Sequence, residues 1–252
     1  MPSLPEKRIL SVVLSPLEPL PPADIWLVLD LLRATTTMVT FLSLGGERLY
    51  PVETTEEAEI LRKELGRETL LMGERNSFPP EGFDLGNSPR ELSRELCQAR
   101  PAAVMTTTNG TGAVLKAYAS GKPVLAASIR NASRVVQACC NMHHVGILCA
   151  GRQGKVALDD TLGAGYLVDI FCRTFGTISL RDGARIALWS WQRQAPNLEK
   201  AVRQTDHASL LEKQGFGDDI SFCCVPDATP EVPLLQEEGG KLYFAKKDRE
   251  LL

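Results

Sequence analysis

A run of polar residues that could bind a phosphate group follows a short apolar segment near the middle of the chain. The segment at 102–105 is apolar and of strand length, residues 106–112 read T-T-T-N-G-T-G, and 113–119 resume with good helix formers. A strand, a tight turn and a helix start would offer an anion backbone N–H groups, hydroxyls and the positive end of a helix dipole. The turn lacks the G-x-x-x-x-G-K-[ST] and G-x-G-x-x-G patterns. An ordinary loop with Asn109 as helix cap is the alternative interpretation.

Charged or polar residues also follow four other predicted strands, which lie at 25–29, 69–72, 124–127 and 145–149. The residues concerned are Asp30, Arg33, Glu74, Arg75, Ser128, Asn131, Cys149, Gly151 and Arg152, with Asp84, Asp159 and Asp160 a little further along the chain. The carboxyl ends of parallel strands lie on one edge of a sheet, where ligands bind. We therefore expect these side chains to lie close together at one edge.

Carboxylates and arginines in one place suit a particular kind of ligand. Arginine side chains and helix N-termini hold phosphate or sulfonate oxygens, whereas carboxylates are ligands for Mg²⁺. A metal-assisted phosphate site would use both kinds of group. A structural network of ion pairs is the alternative interpretation of the same residues.

Other phosphatase chemistries fit this sequence poorly. Cys149 is followed by arginine at the third position instead of the sixth, so the phosphate loop of the cysteine-dependent phosphatases is absent. Two residues after Asp30 stands Leu32, where the haloacid-dehalogenase type has a second aspartate. The histidines at 143, 144 and 207 have no carboxylate or cysteine at ligand spacing, and we interpret them as surface or packing residues.

Composition and charge narrow the possible partners. The chain has 252 residues, 44% of them hydrophobic, and a formal net charge of −3, which favours neither nucleic acid nor an anionic membrane as a partner. No apolar run approaches the roughly 20 residues of a membrane span, and the N-terminus lacks a signal-peptide core. Seven cysteines without a C-x-x-C pair suit a reducing compartment, so we expect a cytoplasmic protein. A homo-oligomer is compatible with the sequence.

The alternation of predicted strands and helices indicates an α/β fold. We expect a three-layer α/β/α architecture with a mainly parallel central sheet, in a single domain over residues 1–252 whose core covers about 9–176. The C-terminal extension, residues 177–252, is predicted to contain helices near 183–192, 197–205 and 207–214 and a pair of edge strands at 231–235 and 241–245.

Several motifs, in order along the chain, resemble those of one known family. Residues 30–37 are similar to D-V-L-R-A-T-[ST]-T, and 106–111 are similar to T-T-T-N-G-T. The remaining similarities are G-E-R at 73–75, G-F-D-L-G-N-S-P at 82–89, C-A-G at 149–151, L-E-D at 158–160 and G-F-x-x-D-I at 215–220. From about residue 10 to about 245 the chain thus resembles the 2-phosphosulfolactate phosphatase (ComB) family.

This resemblance implies a Mg²⁺-dependent phosphatase that converts (R)-2-phospho-3-sulfolactate to sulfolactate and phosphate, a step toward coenzyme M. It also implies the three-layer α/β/α fold of that family. Two departures lie beside the expected site. Residues 76–80 stand where many members carry a glycine pair, and the family's L-E-D is Leu158-Asp159-Asp160 here.

The motifs and the strand-end pattern together predict a role for each candidate residue. The catalytic residues are expected to be Asp30, Arg33, Glu74 and Arg75. The metal ligands are expected to be Asp30, Glu74 and Asp160, with Asp84 and Asp159 as second choices. The substrate-binding residues are expected to be Thr107, Thr108, Asn109, Gly110, Thr111, Ser128, Asn131 and Arg152.

Two other functions are compatible with the same residues. One is a phosphatase that acts on another phosphorylated hydroxy acid. The other is a non-catalytic protein that binds a phosphorylated or sulfonated metabolite. Such a binder would have no need of clustered carboxylates, which repel an anion unless a metal is bound.

Overall fold

The computed structural model describes residues 7–247, in which β-strands and α-helices alternate through most of the chain. The strands are β1 (Ile9–Val13), β2 (Ile25–Leu29), β3 (Arg48–Pro51), β4 (Leu70–Gly73), β5 (Ala102–Thr106), β6 (Val124–Ala127), β7 (His144–Cys149), β8 (Ser179–Leu180), β9 (Pro233–Glu238) and β10 (Lys241–Lys246). The helices are α1 (Ala34–Ser43), α2 (Thr55–Leu65), α3 (Arg94–Ala99), α4 (Gly110–Tyr118), α5 (Ala132–Gln137), α6 (Leu158–Phe175), α7 (Asp182–Gln194), α8 (Leu198–Val202), α9 (Asp206–Lys213) and α10 (Gly217–Cys223).

The described strands form one sheet, in the order β4-β5-β3-β10-β9-β6-β2-β7-β1-β8. Pairing is parallel within the block β4-β5-β3 and within the block β6-β2-β7-β1-β8. Helices α1 and α4 share a core with one face of the sheet, and α5, α6 and α7 share a core with the other. The predicted three-layer α/β/α fold with a mainly parallel sheet is therefore confirmed.

The C-terminal hairpin β9–β10 lies at the centre of the sheet. Phe244 of β10 pairs with Leu49 of β3, and Leu234 of β9 pairs with Leu125 of β6. The two segments do pair with each other as predicted, but their assignment as edge strands is wrong. A short strand shows in its sequence which face is apolar, but it does not show which strands will flank it.

The same hairpin reverses the direction of the sheet. Three successive antiparallel pairings separate β6 from β3, so the two parallel blocks run in opposite directions. The expectation that all five strand ends lie on one edge of one parallel sheet is therefore wrong. The ends of β2 and β5 still meet, because α1 and α4 pack in one core with residues of both blocks, among them Val28 and Met105.

The helices after α6 cover the end of β2. Residues of α8, α9 and α10 form a core with Leu31 and Leu32, which directly follow β2. The predicted helices near 183–192, 197–205 and 207–214 are confirmed as α7, α8 and α9, whereas α10 was not predicted. Among residues 7–247, no helix has both the length and the apolar character that crossing a membrane requires.

Candidate active site

A cavity of about 220 Å³ is lined by residues that follow β2, β4, β5 and β7 and by residues of the α9 region. Six of its residues were predicted from the sequence: Asp30, Arg33, Glu74, Thr108, Asn109 and Arg152. Six further polar residues were not: Asn76, Ser77, Asn87, Gln153, His207 and Gln214. The cavity thus brings together side chains that lie up to 184 residues apart, from Asp30 to Gln214.

The start of α1 holds the side chain of Asp30 in the cavity lining. The side chain is buried, and its Oδ1 accepts a hydrogen bond from the backbone N–H of Ala34 at 3.1 Å. Burial raises the pKa of Asp30 to about 6; the charge of His207 and the Ala34 hydrogen bond oppose this shift, and the charges of Asp159 and Glu74 add to it. The ionised carboxylate is therefore poorly solvated, and a bound cation would stabilise it.

Glu74 is oriented by two backbone amides. Its Oε1 accepts a hydrogen bond from the N–H of Thr108 at 2.7 Å, and its Oε2 accepts one from the N–H of Ser77 at 2.9 Å. These bonds connect the end of β4 with the turn after β5. They fix the carboxylate in the cavity lining, in which Asp30 supplies the other carboxylate.

Asp30 and Glu74 are the two carboxylates of the cavity that could bind a metal ion. Among residues 7–247, no group of three His, Cys, Asp or Glu side chains is arranged to hold a metal. Mg²⁺, however, commonly binds through one or two carboxylates and takes substrate phosphate and water as its other ligands. The donor set therefore fits Mg²⁺, with Asp30 and Glu74 as the residues that would hold it.

Asp160, the third expected metal ligand, accepts hydrogen bonds from two backbone N–H groups instead. Its Oδ1 accepts from the N–H of Leu31 at 2.8 Å and its Oδ2 accepts from the N–H of Gly151 at 2.9 Å. These bonds hold the ends of β2 and β7 together. Asp160 is buried and does not line the cavity, and burial raises its pKa well above the ordinary value. Its placement does not support the metal role that the sequence suggested.

The two second-choice ligands also lie outside the lining of this cavity. Asp84 accepts from the N–H of Leu71 at 2.8 Å and forms ion pairs with Arg100 and Arg62, so it braces the loop after β4. Asp159 is buried and lies 3.2 Å from Nδ1 of His207. The sequence showed no carboxylate partner for His207 at ligand spacing, and the structure shows one 48 residues away in the chain.

Arg33 lines the cavity, and residues from other parts of the chain fix its side chain. Its Nη1 donates to Oδ2 of Asp219 at 2.6 Å, and its Nη2 donates to the carbonyl oxygen of Ser77 at 3.0 Å. The guanidinium also stacks on the ring of Phe216 at 4.4 Å. A guanidinium has five N–H donors, so this arrangement leaves others for a ligand in the cavity.

Arg75 points away from the cavity. Its guanidinium donates to the carbonyl oxygens of Glu74 at 2.8 Å and Glu53 at 3.1 Å and to the hydroxyl of Thr106 at 2.9 Å. It does not line the cavity. Arg75 therefore joins the ends of β4 and β5, and this placement does not support a role as a phosphate clamp.

Two threonines of the T-T-T-N-G-T turn stabilise the turn itself, and another lines the cavity. Thr107 and Thr111 are buried and bond to each other: each backbone N–H donates to the other's hydroxyl, at 3.1 and 3.2 Å. Thr108 and Asn109 line the cavity, and Oδ1 of Asn109 accepts from the N–H of Gln153 at 2.9 Å. Asn109 makes no side-chain capping bond to α4, so the alternative of an ordinary capped loop is not supported.

Gly110 allows this turn to approach the end of β2. A Cβ atom at this position would lie 2.4 Å from the Cβ of Ala34 and 2.7 Å from Oδ2 of Asp30. Any other residue would push the turn away from the carboxylate. Gly110 therefore shapes the site through close approach and not through a contact of its own.

Ser128 and Asn131 form a reciprocal cap and do not line the cavity. The Ser128 N–H donates to Oδ1 of Asn131 at 2.9 Å, and the Ser128 hydroxyl lies 2.9 Å from that of Thr36. The amide nitrogen of Asn131 donates to the carbonyl oxygens of Ala126 and Glu231. Both side chains are buried, and these bonds do not support the substrate-binding role that the sequence suggested.

Arg152 lines this cavity and a second, adjoining cavity of about 410 Å³. The second cavity is also lined by Lys155 and by the acidic Asp159 and Asp206. Arg152 is partly buried, and no residue in the range 7–247 hydrogen-bonds or ion-pairs with its guanidinium. Arg33 and Arg75 are held by direct hydrogen bonds, whereas the guanidinium of Arg152 makes none with the described residues.

The sequence of this chain is similar to those of one known protein family. The model of the family described as 2-phosphosulpholactate phosphatase matches residues 14–238. The chain belongs to this family. Proteins named "Probable 2-phosphosulfolactate phosphatase" from Thermotoga petrophila, Thermus thermophilus and Deinococcus radiodurans are each 37% identical to it, over 90%, 89% and 84% of this chain and 95%, 93% and 88% of theirs.

Two residues in the motifs of the 2-phosphosulfolactate phosphatase family carry roles that sequence reasoning missed. Asp219, in the G-F-x-x-D-I motif, holds Arg33. Asn87, in the G-F-D-L-G-N-S-P motif, lines the cavity. Their positions in those motifs were a usable signal, whereas nothing in the sequence near His207 distinguished it from other histidines.

Two buried amide oxygens in the cavity lining have no partner among the described residues. They are Oδ1 of Asn87 and Oε1 of Gln214. Buried acceptors are rarely left unpaired in folded proteins. These oxygens therefore mark the cavity as a place that receives a hydrogen-bond donor or a cation, which is in keeping with a ligand-binding site of this family.

Proposed function

We propose that this protein is a Mg²⁺-dependent phosphatase that hydrolyses the phosphomonoester of (R)-2-phospho-3-sulfolactate to sulfolactate and phosphate. Family membership and the names of its relatives support this proposal. The observation that carries it is the shared cavity, in which Asp30 and Glu74 lie together with Arg33 and Arg152. The pathway to coenzyme M and a cytoplasmic location are part of the same proposal.

Each of these residues has a distinct part in the proposed reaction. Asp30 and Glu74 would hold Mg²⁺, which when bound neutralises charge that develops on the phosphate and orients a water molecule. Arg33, fixed by Asp219, would bind phosphate oxygens through its remaining N–H groups. Arg152 would bind the sulfonate or carboxylate, because its charge has no partner among residues 7–247.

The size of the cavity agrees with a small substrate. Its volume of about 220 Å³ lies below the roughly 300–1,000 Å³ of pockets for drug-sized ligands. The adjoining cavity of about 410 Å³ extends this space on the side of Arg152 and Lys155. A compact substrate with three anionic groups would distribute them between the two spaces.

A phosphate-release assay tests the proposal. The purified protein is incubated with phosphosulfolactate and with a series of other phosphorylated hydroxy acids, in Mg²⁺, after chelation, and after Mg²⁺ is added back. We expect phosphosulfolactate to be cleaved with the highest kcat/KM and activity to disappear and return with the metal.

Different results would contradict the substrate, the metal and the catalytic activity that we propose. Faster cleavage of another ester would show that the substrate is wrong, and activity that survives exhaustive chelation would show that the metal is wrong. Calorimetric binding of phosphosulfolactate with no phosphate release would favour the non-catalytic binding protein. An Asp30→Asn variant, assayed beside the wild type, excludes a contaminating phosphatase.

A further inference from the structure

The two cavities meet at three shared residues, Arg152, Gln153 and His207. The first cavity contains the carboxylates proposed for Mg²⁺, and the second is also lined by Lys155. A phosphate in the first cavity and an acidic tail in the second would be joined by the ester oxygen. That oxygen would then lie near the shared residues.

His207 is held at this junction by Asp159. Nδ1 of His207 lies 3.2 Å from Oδ2 of Asp159, and the two side chains are 19% and 2% exposed. A carboxylate can only accept here, so Nδ1 carries the hydrogen and Nε2 is the ring nitrogen left for another partner. Within residues 7–247, no group hydrogen-bonds to Nε2.

A purely structural ion pair explains this arrangement less well. His207 is the single side chain that bonds to the buried Asp159 carboxylate within the described part of the chain. A buried carboxylate with so little compensation destabilises the fold. The same carboxylate–imidazole contact is useful in proton transfer, because it fixes the tautomer and stabilises the imidazolium.

The other groups of the first cavity are poor proton donors for an ester oxygen. Arg33 and Arg152 are permanently protonated and do not release a proton. Asp30 and Glu74 would be occupied by the metal. The remaining polar side chains, apart from His207, are amides and the hydroxyls of Ser77 and Thr108, which are very weak acids.

We propose that His207 is a catalytic residue, the general acid that protonates the leaving oxygen, and that Asp159 is its positioning residue; this rests on the proposed phosphatase function. Water forms the new P–O bond while the bond between phosphorus and the ester oxygen breaks, and its electron pair stays on that oxygen. The Nε2 proton of the imidazolium passes to this oxygen, which gives the alcohol. The protons of the water leave with the phosphate, and solvent reprotonates His207.

The test compares substrates whose leaving groups differ in their need for a proton. The sulfolactate alkoxide is strongly basic and needs one, whereas 4-nitrophenolate is stable as an anion. We expect His207→Gln to lower kcat for phosphosulfolactate on the order of 10²- to 10⁴-fold, and for 4-nitrophenyl phosphate by less than about tenfold. Asp159→Asn should show the same selectivity with a smaller loss.

A control variant and a folding measurement distinguish a loss of catalysis in the His207 and Asp159 variants from a loss of folding. His143→Gln changes an exposed histidine that precedes β7, at the opposite end from the site, and should leave both activities unchanged. Thermal denaturation of each variant reports its folding. If the aryl ester does not enter the cavity, a phosphorylated trifluorolactate, whose alcohol is more acidic, replaces it in the comparison.

The outcomes distinguish this inference from the proposed function. An equal loss on both substrates, or no loss on phosphosulfolactate, overturns the role of His207 while the phosphatase function stands. A wild-type protein that cleaves another alkyl phosphate overturns only the substrate assignment, and the leaving-group comparison then uses that ester. A wild-type protein that cleaves no phosphomonoester overturns both proposals.

Discussion

The guanidinium of Arg33 donates to the carboxylate of Asp219 at 2.6 Å, and both side chains are 2% exposed. The other oxygen of Asp219 accepts from the hydroxyl of Ser88 at 2.7 Å. This contact joins α10 to the residue before α1, so the C-terminal helices fix a cation of the cavity. Within residues 7–247, Arg33 thus pairs with Asp219 and not with the neighbouring carboxylate of Asp30.

Asp219→Asn should weaken both the fold and substrate binding. Loss of one partner of a buried ion pair leaves the other charge uncompensated, so we expect the free energy of unfolding to fall by about 3–5 kcal/mol. We also expect KM to rise, because Arg33 is no longer held in place.

Urea unfolding and initial-rate kinetics measure the two effects. Asp218→Asn, which removes an exposed partner of Arg90, is the matched control and should change stability by less than about 0.5 kcal/mol. Equal stability of the two variants would contradict this prediction.

Asp30→Asn should lose turnover without losing the fold. The carboxylate lies in the cavity at the start of α1, and removal of such a preorganised charge lowers kcat on the order of a hundredfold or more. Steady-state kinetics and circular dichroism on the same preparation test this. A destabilised variant with normal turnover would end the catalytic assignment of Asp30.

The stability of the metal-free protein should depend on the ionisation of Asp30. Its folded-state pKa of about 6 lies above the ordinary 3.8, so the fold binds this proton more tightly than the unfolded chain does. The resulting destabilisation is absent below about pH 4, grows between about pH 4 and 6, and is complete above that range. We therefore expect metal-free Asp30→Asn to be more stable than the wild type near neutral pH, by an amount on the order of 3 kcal/mol. Urea unfolding across this range should show the difference vanish toward about pH 4. A difference independent of pH would mean that the carboxyl group is not destabilising.

Arg152→Ala should impair binding more than chemistry. A charge-assisted hydrogen bond contributes about 1.5–3 kcal/mol, so KM for phosphosulfolactate should rise roughly ten- to a hundredfold while kcat changes little. Arg134→Ala removes an exposed arginine from α5 and should leave both constants unchanged. A fall in kcat with unchanged KM would place Arg152 on the transferred phosphate instead of the acidic tail.

Cys149→Ser should fold and retain a substantial fraction of turnover. The thiol is buried at the end of β7, and burial raises the pKa of Cys149 well above the ordinary value, so it stays protonated and unreactive. We expect a loss of stability of about 1–3 kcal/mol from the buried hydroxyl. Mass spectrometry of protein quenched during turnover is the measurement. A phosphocysteine adduct would contradict this assignment.

The fold class and part of the site could be predicted from local sequence. Apolar runs such as 25–29 and 145–149 are strands that are buried on both faces, and they alternate with amphipathic helices, which is sufficient to indicate a three-layer fold. Asp30, Glu74 and Arg152 follow such strands, and chain connectivity alone places them at strand ends. The position of β9–β10 was not predictable, because strand order depends on contacts between distant segments.

Long-range packing set which strand-end side chains reach the cavity. Four residues look like ligand-binding residues in sequence, but the side chain of each hydrogen-bonds to backbone groups: Asp160, Arg75, Ser128 and Asn131. Whether a polar side chain is used in this way depends on which buried amides and carbonyls lie beside it, because such groups must be paired. Packing of α6, α9 and α10 over Leu31 and Leu32 brings three other residues to the site: Asp159, His207 and Asp219. The contact between Asp159 and His207 spans 48 residues of chain, so no local sequence pattern indicates it.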